Sequence, residues 1–433
     1  MKLGRPTPSL RLFFSAILFL FFSASVGAQS GQVLTLEQAL KAVDALHPDL
    51  QIAQAERDMA LADEAAVRAR RDLSVALEGR LQRAKPANAG ADFVSDNSLR
   101  LAARKNLFDF GRSDNAEGAA HAVVQARNLD WMEVRDQRRI DIMQRYFDVL
   151  LADLQYTADN EYMAVAYVTF DNARDRFQQK LISQVDLAEL EARYQEWLVR
   201  RNQSQQRQRI TRALLADAMN QPGQLVSDLE DPKLSGNNRA LPDYDVLQAL
   251  IEHNPRLQAS KQLLEASRQR LDAVRAETHP SLDAEVEATD YATRALPGRD
   301  AVRAGLVLSW PIYQGGRVSS QLAKEQALFY KLQAEAEKRR RELAQAVLTT
   351  WMEAEQLQKT ARNAAKIQAD YHDLVLERAR GQYEVELKTN LGDSMAATVS
   401  AKWQQRAVEY QLALALAKLE ALLGQPLPQP AKK

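Results

Sequence analysis

Apolar residues recur at spacings of three and four along two long tracts of this chain. The first tract contains Ile140, Met143, Phe147, Leu150 and Leu154. The second contains Leu343, Val347, Ala354, Leu357, Ala361 and Ala364, and a returning segment carries Leu412, Leu416, Leu419 and Leu423. A heptad pattern sustained over such lengths predicts long helices packed as coiled coils. We therefore expect two long helical hairpins.

Four shorter segments alternate apolar and polar residues, which is typical of strands with one apolar and one wet face. They form two predicted β-hairpins, at about residues 72–108 and 281–312. The apolar positions are Leu73, Val75, Leu77, Leu81, Leu99, Leu101, Ala103, Leu282, Ala284, Val286, Ala288, Val302, Ala304, Leu306, Leu308 and Trp310. The charged wet positions are Glu78, Arg80, Arg100, Arg104, Asp283, Glu285, Glu287 and Arg303. Because wet strand faces line the lumen of membrane barrels, we expect these charged residues to line a pore.

Four strands of about ten residues suit a membrane barrel, but they cannot close one. An open strand edge cannot survive in lipid, and the smallest such barrels have about 8 strands. The chain is therefore expected to oligomerise, with a dimer as the minimum and a trimer giving about twelve strands.

The two sets of elements belong to an internal duplication. Landmarks recur in order at an offset of about 205 residues, as for Pro48 and Pro255 or Gly111 and Gly316, and such repeats dictate architecture. We divide the chain into a first repeat (29–222), a connector (223–243), a second repeat (244–428) and a short disordered tail (429–433). Each repeat opens with a proline motif, HPDLQ or NPRLQ, which predicts a turn between a short and a longer helix. The recurrence favours a structural role for HPD over a cochaperone motif.

Residues 1–28 have the order of a secretory signal peptide, with basic residues, then the apolar run Leu12 to Phe22, then small residues ending at Ala28. We expect export from the cytoplasm. The absence of cysteine excludes disulfides, thiolate metal sites and an acylated N-terminal cysteine. The 57 basic and 57 acidic residues balance, so charge indicates no nucleic-acid partner. After the signal, no apolar stretch approaches the roughly 18 residues that a membrane helix needs.

These features together resemble the TolC-like outer-membrane efflux family. NLFDFGR (Asn106 to Arg112) parallels PIYQGGR (Pro311 to Arg317), and the repeats end in MNQP and LGQP. The resemblance implies a mainly helical fold with a sheet, a homotrimer with a twelve-stranded outer-membrane barrel, and a helical barrel through the periplasm. It also implies that the duct works with an inner-membrane pump and a periplasmic adaptor. Drugs, metal ions, metabolites and secreted proteins all remain possible cargo.

The resemblance also points to sites at the hairpin ends. It implies adaptor contacts at Lys180, Leu181, Ile182, Ser183, Glu386, Leu387, Lys388 and Thr389. The charged residues Lys180 and Glu386 stand where the family usually has glycine. Asp186 and Asp393 are expected to narrow the periplasmic entrance, with Lys388 tying neighbouring helices together; the alternative is that both aspartates are ordinary helix N-caps.

Two other classes of protein compete with the channel. A periplasmic coiled-coil or adaptor-like protein that never inserts would explain the heptads and the signal peptide, but not the apolar strand face. An enzyme is disfavoured, because the five histidines lack metal-ligand spacing and no phosphate-loop, dinucleotide or hydrolase motif occurs. We therefore expect no catalytic residues, no cofactor and no metal. The Arg/Gln-rich segment Arg200 to Arg212 is interpreted as a solvated helix face.

Overall fold

The computed structural model describes residues 33–45, 47–85, 92–226, 228–291, 301–385 and 390–428. The expected signal peptide and tail lie outside these ranges. Its helices are α1 (Leu36–Lys41), α2 (Pro48–Ala69), α3 (Arg112–Gln178), α4 (Gln184–Ala218), α5 (Tyr244–Leu250), α6 (Pro255–Ala276), α7 (Arg317–Gln356), α8 (Arg362–Glu384) and α9 (Leu391–Leu423). Its strands are β1 (Ser74–Arg80), β2 (Arg83–Ala84), β3 (Val94–Ser95), β4 (Ser98–Phe108), β5 (Ser281–Tyr291) and β6 (Val302–Ser309). The predicted mixture of long helices and a sheet is confirmed.

The four longer strands form one antiparallel sheet in the order β1-β4-β5-β6. Strands β4 and β5 pair over most of their length, so the two repeats meet at the centre of the sheet. The short pair β2 and β3 extends the first hairpin. Among the described strands, β1 and β6 each pair on one side only.

Both proline motifs start a helix, as predicted. Pro48 and Pro255 occupy the first turns of α2 and α6, where a missing N–H costs nothing. The preceding residues cap these helices: His47 Nδ1 accepts from the Asp49 N–H, and Asn254 Oδ1 accepts from the Leu257 N–H at 3.1 Å. The HPD tripeptide is therefore part of a helix cap.

The closing motifs pack against the opening ones. Asn254 also donates its side-chain N–H to the carbonyl of Leu422 (3.0 Å), and Gly424 ends α9 in the left-handed conformation. A Cβ at Gly424 would lie 2.6 Å from the His253 carbonyl oxygen, which explains the glycine of LGQP. In the first repeat the buried Arg138 spans the equivalent junction, donating to the carbonyls of Ala218 (3.0 Å) and Val43 (3.5 Å).

Two apolar cores lie where the last turns of α4 and α9 pack against the middle of α3 and the second half of α7. One is formed by α1, α3, α4 and α9, and the other by α5, α6, α7 and α9. Leu412, Leu416, Leu419 and Leu423 are all buried in the second core, as their heptad predicts. None of the described helices is long and apolar enough to cross a membrane.

The connector is held between these cores. Leu34 pairs with Leu229 as a short parallel bridge, and the buried Tyr146 hydroxyl lies within hydrogen-bond distance of the carbonyls of Leu34 (2.8 Å) and Glu230 (2.5 Å). Asn237, also buried, donates to the Glu409 carboxylate of α9 (2.7 Å). The connector is thereby bonded to the long helices of both repeats.

One feature of the heptad prediction is wrong. A π-turn over Leu357–Ala361 separates α7 from α8. Ala354 before it and Leu357 at its first position are buried, whereas Ala364 beyond it is exposed and Ala369 is buried instead. A π-turn inserts an extra residue into the helix, and the buried seam continues on different positions. The equivalent stretch of α3 is continuous helix.

Candidate functional site

The register of the sheet brings the charged strand residues onto one face. Glu78 lies opposite Arg100, Arg104 opposite Glu285, and Glu287 opposite Arg303. Directly opposed residues project to the same side, and so do residues two apart on one strand. The residues that share this charged face are Glu78, Arg80, Arg100, Arg104, Asp283, Glu285, Glu287 and Arg303. Their alternation in the sequence is confirmed, whereas their role as pore lining stays a prediction.

Ion pairs connect this face across the β4–β5 junction. Arg100 Nε lies 2.9 Å from a Glu287 carboxylate oxygen. Arg104 contacts both Asp283 (2.7 Å) and Glu285 (3.3 Å). Asp283 is only 4% exposed and also accepts from the Asn106 side chain at 2.9 Å. Four arginines balance four carboxylates here, and the cross-strand pairs join the two repeats.

The opposite face of the sheet is apolar and exposed. Val75, Leu77, Leu99, Leu101, Val286, Val302, Leu306 and Leu308 project from it, each with about half or more of its surface accessible. A contiguous apolar surface of this kind marks a membrane or protein contact. The sheet therefore has one charged face and one apolar face, and the apolar face is expected to contact lipid or another protein surface.

Aromatic residues cluster where the strands give way to helices. Trp310 and Tyr313 follow β6, and Tyr313 is 88% exposed. Phe108 and Phe110 lie at the C-terminal end of β4, and their ring centroids are 4.8 Å apart. The Trp310 indole N–H donates to the Thr278 carbonyl. Exposed aromatics at strand ends are typical of an interfacial girdle. The interpretation of Trp310 and Tyr313 as girdle residues agrees with this placement.

The first helical hairpin ends in a Schellman motif that explains the position of Lys180. The Leu181 N–H donates to the Arg176 carbonyl (2.9 Å) and the Lys180 N–H to that of Phe177 (2.8 Å). This motif places Lys180 in the left-handed region, at φ 58°, where glycine is preferred. Glycine adopts the left-handed conformation that this turn requires without steric cost, whereas the Cβ of Lys180 makes the same conformation less favourable.

Asp186 is bonded to the start of α4, but it is not the N-cap. Ser183 is the cap, and its hydroxyl accepts from the Asp186 N–H (3.1 Å) while the Asp186 carboxylate accepts from the Ser183 hydroxyl and N–H. These bonds complete a capping box and lower the pKa of Asp186. The alternative interpretation of Asp186 and Asp393 as N-caps is wrong, since Asn390 precedes α9 as Ser183 precedes α4. Both aspartates occupy the third helical position, so their placement is equivalent.

The start of α9 is not level with the end of the first hairpin. A Cβ on Gly392, at the start of α9, would meet the Val165 side chain of α3. From Val165, α3 continues to Gln178, a distance of about 20 Å at 1.5 Å per residue. The beginning of α9 therefore lies well short of the first hairpin's end. Glu386, Leu387, Lys388 and Thr389 fall outside the described residues.

The contacts that Tyr146 and Asn237 make with and within the connector were not predicted from the sequence. The partners of these two residues are backbone carbonyls or side chains far away in the sequence. No sequence motif therefore identifies these contacts. Among the side chains that the structure describes, no group of three or more histidines and acidic residues is arranged to hold a metal ion.

The fold of this chain is similar to that of solved outer-membrane channels. The model of the outer membrane efflux protein family matches residues 246–425. No curated protein sequence matches the chain. The outer membrane protein VceC of Vibrio cholerae has a TM-score of 0.72 and 16% identity, covering 91% of this chain and 97% of its own.

Two further solved channels have the same fold. The CmeC outer membrane channel of Campylobacter jejuni gives a TM-score of 0.73 at 14% identity, over 92% of this chain and 87% of CmeC. The open state of the Neisseria gonorrhoeae MtrE outer membrane channel gives 0.72 at 17% identity, over 92% of this chain and 91% of MtrE. At such identities the structures establish the fold, and the family model supplies the sequence match. Residues 246–425 thus match the outer membrane efflux protein family in sequence, and the chain as a whole is similar in fold to solved outer-membrane channels.

Proposed function

We propose that this protein is the exit duct of a tripartite export system, carrying cargo from an inner-membrane pump across the periplasm and outer membrane. Three copies contribute twelve strands to one barrel, and their long helices continue it as a periplasmic tunnel. The observation that carries this proposal is the two-faced sheet with one-sided edge strands. An apolar outer face suits lipid, a charged inner face suits water, and closure with neighbouring copies removes the edges.

The competing coiled-coil protein would leave the apolar face of the sheet in water. Exposed apolar surfaces of this size are rare on soluble monomers. Differential extraction separates the two hypotheses. A barrel stays with the outer membrane in high salt and dissolves only in detergent, whereas a soluble coiled-coil protein is washed off by salt.

The oligomer is tested by mass. In mild detergent, light scattering is expected to give three times the mature chain after subtraction of the micelle, and the same preparation is expected to form conducting pores in planar bilayers. A stable folded monomer would contradict the closure argument, because its β1 and β6 edges would remain open.

We assign the adaptor contact to Lys180, Leu181, Ile182 and Ser183 at the first hairpin end, with Glu386–Thr389 at the second. Leu181 is strongly exposed beside the Lys180 charge, which offers a partner both apolar and ionic contact. Charge reversal at Lys180 together with Glu386 is expected to abolish export while the amount of trimer in the outer membrane is unchanged. The matched control is Lys180→Gly, which removes the charge but retains the left-handed turn. Unimpaired export in the double reversal would remove this assignment.

We assign the periplasmic entrance to Asp186 and Asp393, with Lys388 linking neighbouring helices. In one chain the hydrogen bonds from Ser183 lower the pKa of Asp186. Three such carboxylates brought toward one axis would attract cations and would favour protonation of some members. Single-channel recordings on Asp186→Ala, Asp393→Ala and the double variant test this, with Ser183→Ala as the control that removes the capping bond alone. Unchanged conductance and cation selectivity in all three would leave Asp186 with its capping role only.

A further inference from the structure

A cavity of about 570 Å³ lies where the charged face of the sheet meets the helices. The ends of α2, α3 and α6 surround it, together with β1, β4 and β5. Its wall is mixed: Arg70, Arg104 and Arg112 contribute guanidinium groups, while Val67 and Val274 contribute apolar surface. The size is within the range of small-molecule sites, and most of the lining residues are polar or charged, with the apolar surface confined to a few valines and alanines.

The carboxylates of this cavity already have cationic partners. Asp283 is bound by Arg104 at 2.7 Å. Glu277 is bound by Arg317, which lies outside the lining, at 2.9 Å. Asp72 interacts electrostatically with Arg68, which is also outside the lining. The acidic groups therefore do not offer the cavity a free negative charge.

Two of the arginines retain unused donors. Among the described residues, the Arg70 side chain has no hydrogen bond or ion pair. Arg112 lies 3.8 Å from its nearest carboxylate oxygen, on Asp109, beyond hydrogen-bond distance. That oxygen also accepts from the Ser113 N–H at 3.0 Å. Each guanidinium presents a planar fork that matches a carboxylate or phosphate group.

We infer that this cavity binds amphiphilic organic anions, and that such anions are the class of cargo this duct retains at the base of its barrel. The two guanidinium groups receive the anionic head, and the valine and alanine wall receives an apolar body. Chloride or phosphate alone would leave most of the volume empty. The inference rests on the proposed function, because only in a duct does the charged face of the sheet line the path of the cargo.

Binding is tested by titration calorimetry on the purified oligomer, with 2-naphthoate as the probe and the neutral 2-naphthalenemethanol as its matched analogue. The variant is Arg70→Gln combined with Arg112→Gln. The control is Arg275→Gln, which changes an arginine of α6 paired with Asp272 and absent from the lining. We expect naphthoate to bind the wild type and the control equally, and the double variant at least about tenfold more weakly, as loss of charge-assisted bonds requires. Equal naphthoate binding by the double variant, or equal binding of the neutral analogue, would overturn the inference.

Bilayer recordings distinguish this inference from the function on which it rests. Naphthoate is expected to reduce the current through wild-type pores and to leave that of the double variant unchanged. Open pores that ignore naphthoate in both proteins would overturn the anion site and leave the duct standing. A protein that forms no pores at all would overturn the duct itself.

Discussion

Arginine in place of Val286 tests the assignment of the two faces of the sheet. Val286 projects from the apolar face, with 51% of its surface exposed, and its neighbour Glu287 projects from the charged face. The side chains of adjacent strand residues point to opposite faces of the sheet, and their positions along the strand differ by only about 3 Å. Val286→Arg and Glu287→Arg therefore introduce the same side chain at nearly the same position along β5, one on the apolar face of the sheet and the other on the charged face.

The expected cost follows from the position of Val286 in its strand. It is the central residue of the 11-residue β5. Eleven residues extend about 37 Å, and a tilt of about 45° reduces their height to about 26 Å, close to the apolar band of outer-membrane barrels. Val286 then lies near the membrane midplane, where arginine on the lipid face costs about 2–4 kcal/mol. In the proposed trimer the three copies of the substitution together cost about 6–12 kcal/mol.

Glu287→Arg is expected to act on selectivity instead. The variant loses the 2.9 Å ion pair between Glu287 and Arg100. The new arginine then lies beside Arg100 and directly opposite Arg303 on the neighbouring strand. Like charges in cross-strand positions are destabilising by about 1 kcal/mol or less. Each chain gains two units of positive charge on the water-facing side, so the pore is expected to favour anions more strongly.

Stability is measured by guanidinium unfolding of the oligomer in lipid vesicles, and selectivity by reversal potentials in a salt gradient. Val286→Met controls for side-chain length on the apolar face, and Glu287→Gln separates loss of the carboxylate from gain of the cation. Equal stability losses for the two arginine variants would refute the assignment of the faces.

Three further predictions concern individual backbone and hydrogen-bonded positions. Gly424→Ala is expected to destabilise the fold by at least about 1 kcal/mol in denaturant unfolding, because alanine is strained at φ 67° and its Cβ would meet the His253 carbonyl; unchanged stability would contradict the packing of the LGQP end. Tyr146→Phe is expected to cost about 0.5–1.5 kcal/mol, since it removes the hydroxyl's hydrogen bond to the Glu230 carbonyl, whereas the Leu34 carbonyl still accepts from the Glu230 N–H. Burial raises the pKa of Tyr146 to about 12, so its contribution is present below about pH 10 and is lost as the pH rises toward 12; unfolding curves from pH 9 to 12 should show this loss in the wild type and a smaller one in the variant. Lys180→Gly is expected to stabilise the first hairpin end by about 1 kcal/mol through relief of its left-handed strain, so that amide hydrogens in the last turn of α3 exchange more slowly in the variant than in the wild type. Equal exchange rates in the two proteins would contradict the strain.

The two periodicities of this sequence determine most of its local structure. Alternation at Asp283, Glu285 and Glu287 can only place these side chains on one face of a strand, and the heptads require partner helices, because both patterns follow from backbone geometry. The proline motifs likewise predict helix starts, since proline is compatible with the first turn. The glycine of LGQP is a local signal too, but its reason, the close approach of His253, is tertiary.

Tertiary structure alone decides which chemical groups meet across long distances in the chain. Arg104 and Asp283 are far apart in sequence, and their pairing depends on the register of β4 against β5, which no local pattern specifies. The π-turn at Leu357–Ala361 redirects the buried seam of the second hairpin, and the contacts of Asn237 beside it depend on where the connector crosses the long helices. Periodicity describes which side of an element is apolar. The partner of that side, and the level at which two elements meet, are set by packing of the whole chain.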